Sequence, residues 1–318
     1  MKSIKAADEE RRLPKKRALL IFNPMAGENR ALRNLPDTIR HMTEHGYLCT
    51  SLTTTYSGAA TDYILSYGAE NDVVICSGGD GTANEVIRGM MQLKEEDRPI
   101  FGYIPSGSTN DFATALEIPN NTEEILENIT DGDIVSSDVG LFNDRYYAYV
   151  AAFGAFTSAS YSTPQTQKNI WGSLAYFVNG IGTIKDIKPI HARFTMDNEV
   201  VEDEFIFCAI SNSKIIGGII RLKPGWVAID DGKFEVLLIK YPKNAVELGK
   251  IVNAITMREL KNCELIRMFS ASEITVDAID GTIDWSLDGE GELNVKTAHI
   301  KNIHSAVSTF VKKGAGSL

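Results

Sequence analysis

The stretch from Asp72 to Met91 constrains this chain most, because a buried strand, a glycine-rich turn and a helix follow one another without a break. Val73 to Cys76 is an apolar run of mostly β-branched residues, which is typical of a strand buried on both faces of a parallel sheet. The glycines that follow permit positive φ and close approach of a ligand to the backbone. They are Gly78, Gly79 and Gly81.

Backbone N–H groups between a strand end and a helix start point at one place, and this arrangement binds phosphate. Asp80 lies among these donors, so a phosphate is favoured there only with a cation, which we predict to be magnesium. The alternative is a tight corner with Asp80 as a local cap. Thr82 and Glu85 fit a capping box, which predicts a helix from here to about Lys94.

Further polar turns favour the phosphate interpretation. The predicted strand Arg17–Phe22 ends in Asn-Pro-Met-Ala-Gly, Tyr47–Thr54 ends in hydroxyls, and Ile100–Ile104 leads into a polar turn up to Asp111. An ordinary helix cap is the alternative for that last turn. Strands alternating with helices, with polar loops at one edge, predict a doubly wound sheet whose ligand binds at that edge.

Composition narrows the function classes. A chain of 318 residues holds one large domain or two, and the formal net charge of −10 argues against nucleic-acid binding. The four cysteines form no CxxC pair and the histidines form no HExxH motif, which predicts reduced core cysteines and no zinc site. No apolar run reaches the roughly 18 residues of a membrane span, and acidic residues at the start argue against a signal peptide. We therefore expect a cytoplasmic protein.

The run Arg11–Arg17 has five basic residues of seven. A solvated tail is the simpler interpretation. The other is weak attraction to an anionic membrane surface, of about 1 kcal/mol per basic residue near the lipid.

The pattern changes beyond about Asp138. Asp138–Gly154 reads as a hairpin around Asn143-Asp144, and further short strands follow as far as Lys296, which predicts an antiparallel β-sandwich. Two helices, Asn169–Ile181 and Lys243–Glu259, interrupt the strands, and the final stretch from His304 is expected to return to the first domain. The predicted fold class is a doubly wound α/β nucleotide-binding domain, residues 15–138 with 304–318, plus a β-sandwich substrate domain, residues 139–303.

Two acidic turns in the second half are candidate functional sites. Asp231-Gly232 precedes a strand, and Asp288-Gly289-Glu290 places two carboxylates around a glycine between strands. Turn chemistry alone accounts for an Asp-Gly pair. A second carboxylate becomes a candidate functional residue only because the first half of the chain is predicted to bind phosphate.

Taken in order, these motifs resemble the soluble diacylglycerol kinase and lipid kinase family, close to bacterial diacylglycerol kinase. The diagnostic motif is Gly78-Gly79-Asp80-Gly81-Thr82 followed by Asn84-Glu85-Val86. The resemblance covers nearly the whole chain from Arg17 to Val311. Supporting motifs are Asn23-Pro24 with Gly27, Pro105-x-Gly107 with Asn110-Asp111-Phe112, Asp138-Val139-Gly140, Asp231-Gly232, Asp288-Gly289-Glu290, Tyr161-x-Thr163-Pro164 and Gly172-x-x-Ala175-Tyr176.

The resemblance implies an ATP site, an active-site magnesium near Asp80 and a general base at Glu290, with Asp288 as the competing catalytic carboxylate. It implies a structural magnesium held by Asp231 and the backbone carbonyls of Ala228 and Lys233. Asp111 and Asp138 would support the site, Arg33 would face phosphate, and Glu28 replaces a residue that is basic in many relatives. The implied ATP-binding residues are Asn23, Pro24, Met25, Ala26, Gly27, Thr54, Gly78, Gly79, Asp80, Gly81, Thr82, Ala83, Asn84 and Ser108.

The leading hypothesis is an ATP-dependent kinase that converts diacylglycerol to phosphatidic acid in a cleft between the halves, peripherally at the inner membrane face. Relatives suggest a homodimer. The chain lacks GxxxxGK[ST] and an HRD loop, which excludes the P-loop and protein-kinase classes. The alternatives are a kinase for phosphatidylglycerol or a sphingoid base, an NAD kinase, and a non-catalytic lipid or nucleotide sensor.

Overall fold

The computed structural model describes residues 15–27, 30–107, 110–154, 188–197, 199–213, 215–216, 220–222 and 226–314. Contacts within the chain divide it into two units, Met1–Ser136 with Val307–Leu318 and Ser137–Ala306. The sequence-based boundaries lie at 138/139 and 303/304. The predicted helix Asn169–Ile181, the motifs at 161–164 and 172–176, Glu28, Ser108 and residues 11–14 of the basic run lie outside the described residues.

Unit 1 contains a parallel sheet in the order β2-β1-β3-β4, followed by the end of the last strand, in which Thr309 pairs with Phe101. The last strand therefore ends beside β4, in unit 1. The strands are β1 (Lys16–Phe22), β2 (Tyr47–Thr53), β3 (Val73–Gly78) and β4 (Ile100–Pro105). The helices are α1 (Arg30–Arg33), α2 (Leu35–Glu44), α3 (Ala59–Tyr67), α4 (Asp80–Gln92), α5 (Asp111–Ala115) and α6 (Thr122–Asp131), with short 3-10 turns at Gly68–Glu70 and Glu95–Asp97.

Burial explains why the central strands form here. Every residue of β3 is buried, as the apolar run predicts for a strand covered on both faces. Helix α2 places Leu35, Ile39 and Met42 against the same apolar cluster as the strand residues Ala18 and Leu20. A spacing of three or four residues puts those three side chains on one helix face, and that face packs on the sheet.

The predicted capping box is wrong. Helix α4 begins at Asp80, and its N-cap is Gly79, with no side-chain capping bond. The Thr82 hydroxyl instead accepts a hydrogen bond from Asn23 Nδ2 at 3.0 Å, and the Glu85 carboxylate binds the start of α3. The sequence fits a capping box because Thr82 and Glu85 stand three residues apart. In the structure, both side chains instead form hydrogen bonds with residues outside the helix.

Unit 2 is an antiparallel β-sandwich, as predicted. The chain enters it within β5 (Asp133–Phe142) and leaves it within β17 (Thr297–Val311). Between them lie β6 (Arg145–Tyr147), β7 (Val150–Gly154), β8 (Ile190–Met196), β9 (Glu199–Ser211), β10 (Ile215–Ile216), β11 (Ile220–Arg221), β12 (Phe234–Lys240), helix α7 (Ala245–Thr256), a 3-10 turn (Leu260–Asn262), β13 (Ile266–Ala271), β14 (Glu273–Ala278), β15 (Ile283–Leu287) and β16 (Glu290–Val295).

Strand β9 is central, since it pairs with β7, β8 and β12. Along β12, Val236 and Leu238 belong to one apolar cluster, whereas Leu237 and Ile239 belong to another. Because side chains alternate along a strand, this sheet is buried on both faces. The first cluster is built around Trp285, whose ring meets two phenylalanines edge-on.

Both hairpin turns form where the sequence predicts them. Asn143, between β5 and β6, has φ of +53°, and Asp288 and Gly289, between β15 and β16, have φ of +49° and +89°. The two successive positive φ angles of Asp288 and Gly289 are typical of a two-residue hairpin turn, whose twist matches that of the flanking strands.

All four cysteines are free, as predicted. In the part of the chain that the structure describes, no helix is long and apolar enough to cross a bilayer.

Candidate active site

The loops after β1 and β3 lie side by side in unit 1. Beyond β1 the chain proceeds to β2 on one side of it, while β3 lies on the other side, so the strand order reverses between β1 and β3. Ligands of doubly wound sheets bind at such a reversal. The backbone N–H of Asn23 donates to the Ser77 carbonyl at 2.9 Å, and Asn23 Nδ2 donates to Thr82 Oγ1 at 3.0 Å. Asn23 therefore fixes the first loop against the glycine turn.

The other two strand-end loops join this edge through their backbones. The Thr54 N–H donates to the Phe22 carbonyl at 2.8 Å, and the Ser106 N–H donates to the Gly78 carbonyl at 2.8 Å. A Cβ added to Gly107 would lie 2.7 Å from the Gly79 Cα, a distance that no real side chain tolerates. The turn after β4 can therefore approach the turn after β3 this closely only because positions 107 and 79 are both glycine.

The structure brings most of the predicted nucleotide-binding residues to one edge of the sheet, but their exposure to solvent differs. Ala83 and Asn84 are only 1% and 2% exposed, so the protein itself covers their side chains. Asn84 Oδ1 has no hydrogen-bond partner among the described residues. Met25, by contrast, is 86% exposed, and Arg33 on α1 is exposed as well. Residues at the edge itself include Asn23, Pro24, Ala26, Gly27, Thr54, Gly78, Gly79, Asp80, Gly81 and Thr82, whereas Ser108 lies outside the described residues.

The carboxyl groups of Asp80 and Asp111, at the starts of α4 and α5, interact with each other. Asp80 Oδ1 accepts the backbone N–H of Phe112 at 3.2 Å, which joins the start of α4 to the start of α5. Burial raises the pKa of Asp80, and the N–H of Phe112 opposes that rise. Burial, and then the charge of Asp80, raises the pKa of Asp111 to about 6. Oxygen donors with this excess of negative charge fit a hard divalent cation such as magnesium.

Glu85 has a role that the motif analysis missed. Its Oε1 accepts the backbone N–H of Gly58 at 2.8 Å, and its Oε2 accepts that of Ala60 at 3.2 Å. The Thr61 hydroxyl also donates to the Glu85 carbonyl at 2.7 Å. One glutamate on α4 thus satisfies the N–H groups that begin α3, at the end of the loop that contains Thr54.

In unit 2, the acidic hairpin turn holds its two carboxylates in different environments. Asp288 is only 5% exposed, and its carboxylate accepts three successive backbone N–H groups, from Ala148 at 2.5 Å, Tyr149 at 3.0 Å and Val150 at 2.9 Å. Glu290 has a side chain that is 36% exposed, and it forms an ion pair with Arg145. The geometry therefore favours Glu290 over Asp288 as the carboxylate that meets a substrate, and its role as a base stays a prediction.

Arg145 is the second residue that sequence reasoning missed. Its guanidinium contacts Glu290, Glu292 Oε2 at 3.1 Å and the Gly291 carbonyl at 3.2 Å. In the sequence it is a single basic residue after a polar turn, which gives no signal.

The predicted structural metal position lies in the loop before β12. Asp231 Oδ1 accepts the backbone N–H of Lys233 at 3.0 Å. The N–H of Gly232, the residue before Lys233, donates to Asp138 Oδ2 at 2.8 Å. In the described chain, no three or more His, Cys, Asp or Glu side chains cluster to hold a metal. The implied set needs only one such side chain, because its other two ligands are carbonyls.

Glu235 provides a test of whether a cation fits there. It is 4% exposed, and its Oε2 has no hydrogen-bond partner in the described residues. Burial, followed by the charges of Asp231 and Asp138, raises the pKa of Glu235 to about 8. A buried carboxyl beside two acids fits a nearby divalent cation, since the cation would offset that repulsion. An acid within the apolar run of β12 is a signal that the sequence analysis did not use.

Two family models match the chain, one for each half. Residues 17–142 match the diacylglycerol kinase catalytic domain, and residues 151–306 match the YegS C-terminal NAD kinase beta sandwich-like domain. Among curated proteins, the diacylglycerol kinase of Staphylococcus aureus (strain bovine RF122 / ET3-1) is 32% identical over 298 residues, covering 93% of this chain and 92% of that protein. The diacylglycerol kinase of Staphylococcus saprophyticus is 32% identical over 298 residues, covering 93% and 95%.

Solved structures agree with these relatives. A provisionally assigned diacylglycerol kinase from Bacillus anthracis str. Sterne superposes with a TM-score of 0.78 at 25% identity, covering 93% of this chain and 95% of that one. A second structure from the same organism, at 23% identity and a TM-score of 0.72, supports the fold alone.

Proposed function

The chain belongs to the diacylglycerol kinase family, and from that membership we propose that it transfers the γ-phosphoryl group of ATP to the free hydroxyl of diacylglycerol, giving phosphatidic acid. The same membership supports kinase activity in general. The acceptor, the product and the need for magnesium belong to the proposal.

The observation that carries the proposal is the meeting of four strand-end loops at one edge of unit 1. Asn23, Gly79 and Gly107 stand at the ends of three neighbouring strands, and their backbones are in direct contact or one hydrogen bond apart. Backbone donors gathered in this way bind phosphates, and Asp80 supplies the acid that a phosphate-bound cation requires. Few functions other than nucleotide binding need both features at one point.

The chemistry assigns separate tasks to the two units. Unit 1 binds ATP through the glycine turn, with Asp80 and Asp111 holding magnesium. Magnesium, when bound, neutralises charge on the transferred phosphoryl group. In unit 2, Glu290 takes the proton of the lipid hydroxyl while that oxygen bonds to the γ-phosphorus, and the bond from phosphorus to the β–γ bridging oxygen breaks to release ADP. A carboxylate that accepts this proton contributes about 10²–10⁴-fold to the rate.

Asp231, with the carbonyls of Ala228 and Lys233, holds the second magnesium in this proposal. That ion supports the fold of the loop before β12 and takes no part in the transfer. The buried Glu235 carboxyl favours a cation at this point, as described above.

Access to a lipid acceptor requires contact with a membrane surface, which we propose to be peripheral and cytoplasmic. Lys15, Lys16 and Arg17, which end the basic run, are all exposed. The homodimer that the family resemblance implies is a further prediction, and sedimentation velocity of the purified protein tests it.

The experiment that tests the function is an acceptor panel. Purified protein is incubated with labelled ATP, magnesium and, separately, dispersed diacylglycerol, phosphatidylglycerol, sphingosine or NAD. Label in phosphatidic acid alone is the expected result. Label in another lipid would reassign the acceptor within the lipid kinases.

NAD belongs in the panel because the C-terminal family model is described as NAD kinase-like. Labelled NADP would reassign the enzyme to that second class. The absence of label in every acceptor, from protein that binds ATP, would favour a non-catalytic sensor.

A further inference from the structure

We propose that Arg145 is a positioning residue for Glu290, one that fixes the direction of the carboxylate that accepts the lipid proton. This inference rests on the proposed function, because it presumes that Glu290 acts as the base. It names a residue for which neither the motifs nor the charge pattern of the chain gives a role.

Strand geometry brings two acids to the same guanidinium. Glu290 and Glu292 stand two residues apart at the start of β16, so their side chains leave the strand on one face. Arg145 contacts both carboxylates, and its Nη1 also donates to the carbonyl of Gly291 between them at 3.2 Å. Three acceptors on one planar guanidinium define its orientation, and with it that of each carboxylate.

The backbone around Arg145 is tied to the same hairpin. Asp288, two residues before Glu290, accepts the N–H groups of Ala148, Tyr149 and Val150, which begin three residues after Arg145. Leu287, which precedes Asp288, pairs with Ala151 of β7. The arginine and the proposed base therefore extend from two segments that are hydrogen-bonded to each other, so their separation is set by the fold.

A purely structural role explains this arrangement poorly. The side chains of Arg145 and Glu290 are 24% and 36% exposed, and ion pairs that water reaches stabilise a fold little. Asp288 already fastens the turn with three hydrogen bonds to a buried carboxylate. What the arginine adds is a contact between its guanidinium and the partly exposed Glu290 carboxylate, which restricts the rotamers of that side chain.

Kinetic coupling between the two residues tests the proposal. In the diacylglycerol assay, Arg145→Ala is expected to lower kcat about tenfold, a part of the contribution of a positioned base, with the KM for ATP unchanged. In the Glu290→Gln background, the same substitution is expected to cause no further loss, since the residue it positions is gone. Guanidinium added to the assay is expected to restore part of the kcat of Arg145→Ala, which loss of packing would not allow.

The matched control is Arg193→Ala, which removes an exposed arginine whose Nε donates to Glu202 at 2.6 Å in the same unit. Its kcat is expected to equal that of the wild type. Should Arg145→Ala fail to fold, Arg145→Lys carries the same comparison, because lysine keeps the charge but loses the fork.

Four outcomes separate the possible failures. Losses from Arg145→Ala and Glu290→Gln that multiply in the double variant would overturn the positioning role. A kcat that Arg145→Ala leaves unchanged, while Glu290→Gln lowers it, would overturn it as well. If the wild type phosphorylates no lipid, or if Glu290→Gln keeps full kcat, the proposed function or the base assignment fails instead.

Discussion

The Glu85 carboxylate accepts the backbone N–H of Gly58 at 2.8 Å, although 27 positions separate the two residues in the chain. The other carboxylate oxygen accepts the N–H of Ala60 at 3.2 Å. A side chain on the helix that follows the glycine turn thus supports the first turn of the preceding helix. Through Gly58, it also holds the end of the loop that contains Thr54.

Glu85→Ala is expected to destabilise unit 1 and weaken nucleotide binding. It leaves the N–H groups of Gly58 and Ala60 without their acceptors, a cost of about 1–3 kcal/mol for a buried site. The loop with Thr54 then loses its anchor, so the KM for ATP should rise more than kcat falls. Urea unfolding and ATP titration measure both effects.

Glu124→Ala, which removes an exposed glutamate on another helix of unit 1, is the control and should unfold like the wild type. Wild-type stability in Glu85→Ala would show that the two hydrogen bonds matter little.

Asp80→Ala is expected to abolish turnover without loss of the fold. Burial disfavours the charged form of Asp80, but the substitution also removes the acceptor of the Phe112 N–H, so a modest fall in melting temperature is expected with the fold retained. Turnover is lost because the acid at the phosphate-binding turn no longer holds a cation. The measurement pairs the lipid kinase assay at saturating magnesium with thermal melting. Asp97→Ala, at an exposed acid in unit 1, should behave as the wild type, and wild-type turnover in Asp80→Ala would exclude the metal role.

Local patterns predicted the elements of this fold well. The apolar run at Val73 and the Asp288-Gly289 turn each depend on neighbours in sequence, and both formed as predicted. Helix α4 shows the limit, because its first turn contains a correct capping-box pattern that tertiary partners override.

The parts of the site that escaped prediction depend on contacts between distant segments. Arg145 meets Glu290 across 145 positions, and no spacing rule reaches that far. Which of Asp288 and Glu290 faces solvent was equally hidden, since it is decided by the three N–H groups that Asp288 accepts. Of these residues, only Glu235 could have been recognised from the sequence, because it is a charged residue inside an apolar strand.

Magnesium is expected to raise the melting temperature of the wild type more than that of Asp231→Ala, which keeps only the proposed magnesium site at Asp80 and Asp111. A ligand that binds only the folded chain stabilises it by RT ln(1 + [L]/Kd), which is about 2.7 kcal/mol at a hundredfold excess over Kd. The comparison is made with magnesium and with chelator. The neighbouring exposed acid supplies the control, since Asp230→Ala should keep the full magnesium shift. Equal shifts in Asp231→Ala and wild type would place the ion elsewhere.

Binding to anionic vesicles is expected to fall as salt rises. Each basic residue near such a surface contributes about 1 kcal/mol, and screening shortens to roughly 8–10 Å at physiological salt. Replacing the five basic residues of 11–17 with glutamine should therefore weaken co-sedimentation with anionic vesicles and leave that with neutral vesicles unchanged. Attachment that ignores both salt and these substitutions would point to apolar contacts instead.

The last prediction separates the two carboxylates of the acidic turn. Glu290→Gln keeps the size of the side chain but removes the proton acceptor, so kcat should fall about 10²–10⁴-fold while the KM for ATP stays near normal. Asp288→Asn should act on stability instead, because an amide in place of the buried carboxylate cannot accept all three N–H groups, at a cost of about 1–3 kcal/mol. Its kcat per folded molecule should stay close to that of the wild type. Glu273→Gln, at an exposed glutamate of the same unit, controls for loss of a charge. Should Asp288→Asn fold normally and lose kcat while Glu290→Gln retains it, the proton acceptor is Asp288, and the hydrogen bonds from Ala148, Tyr149 and Val150 then orient a base.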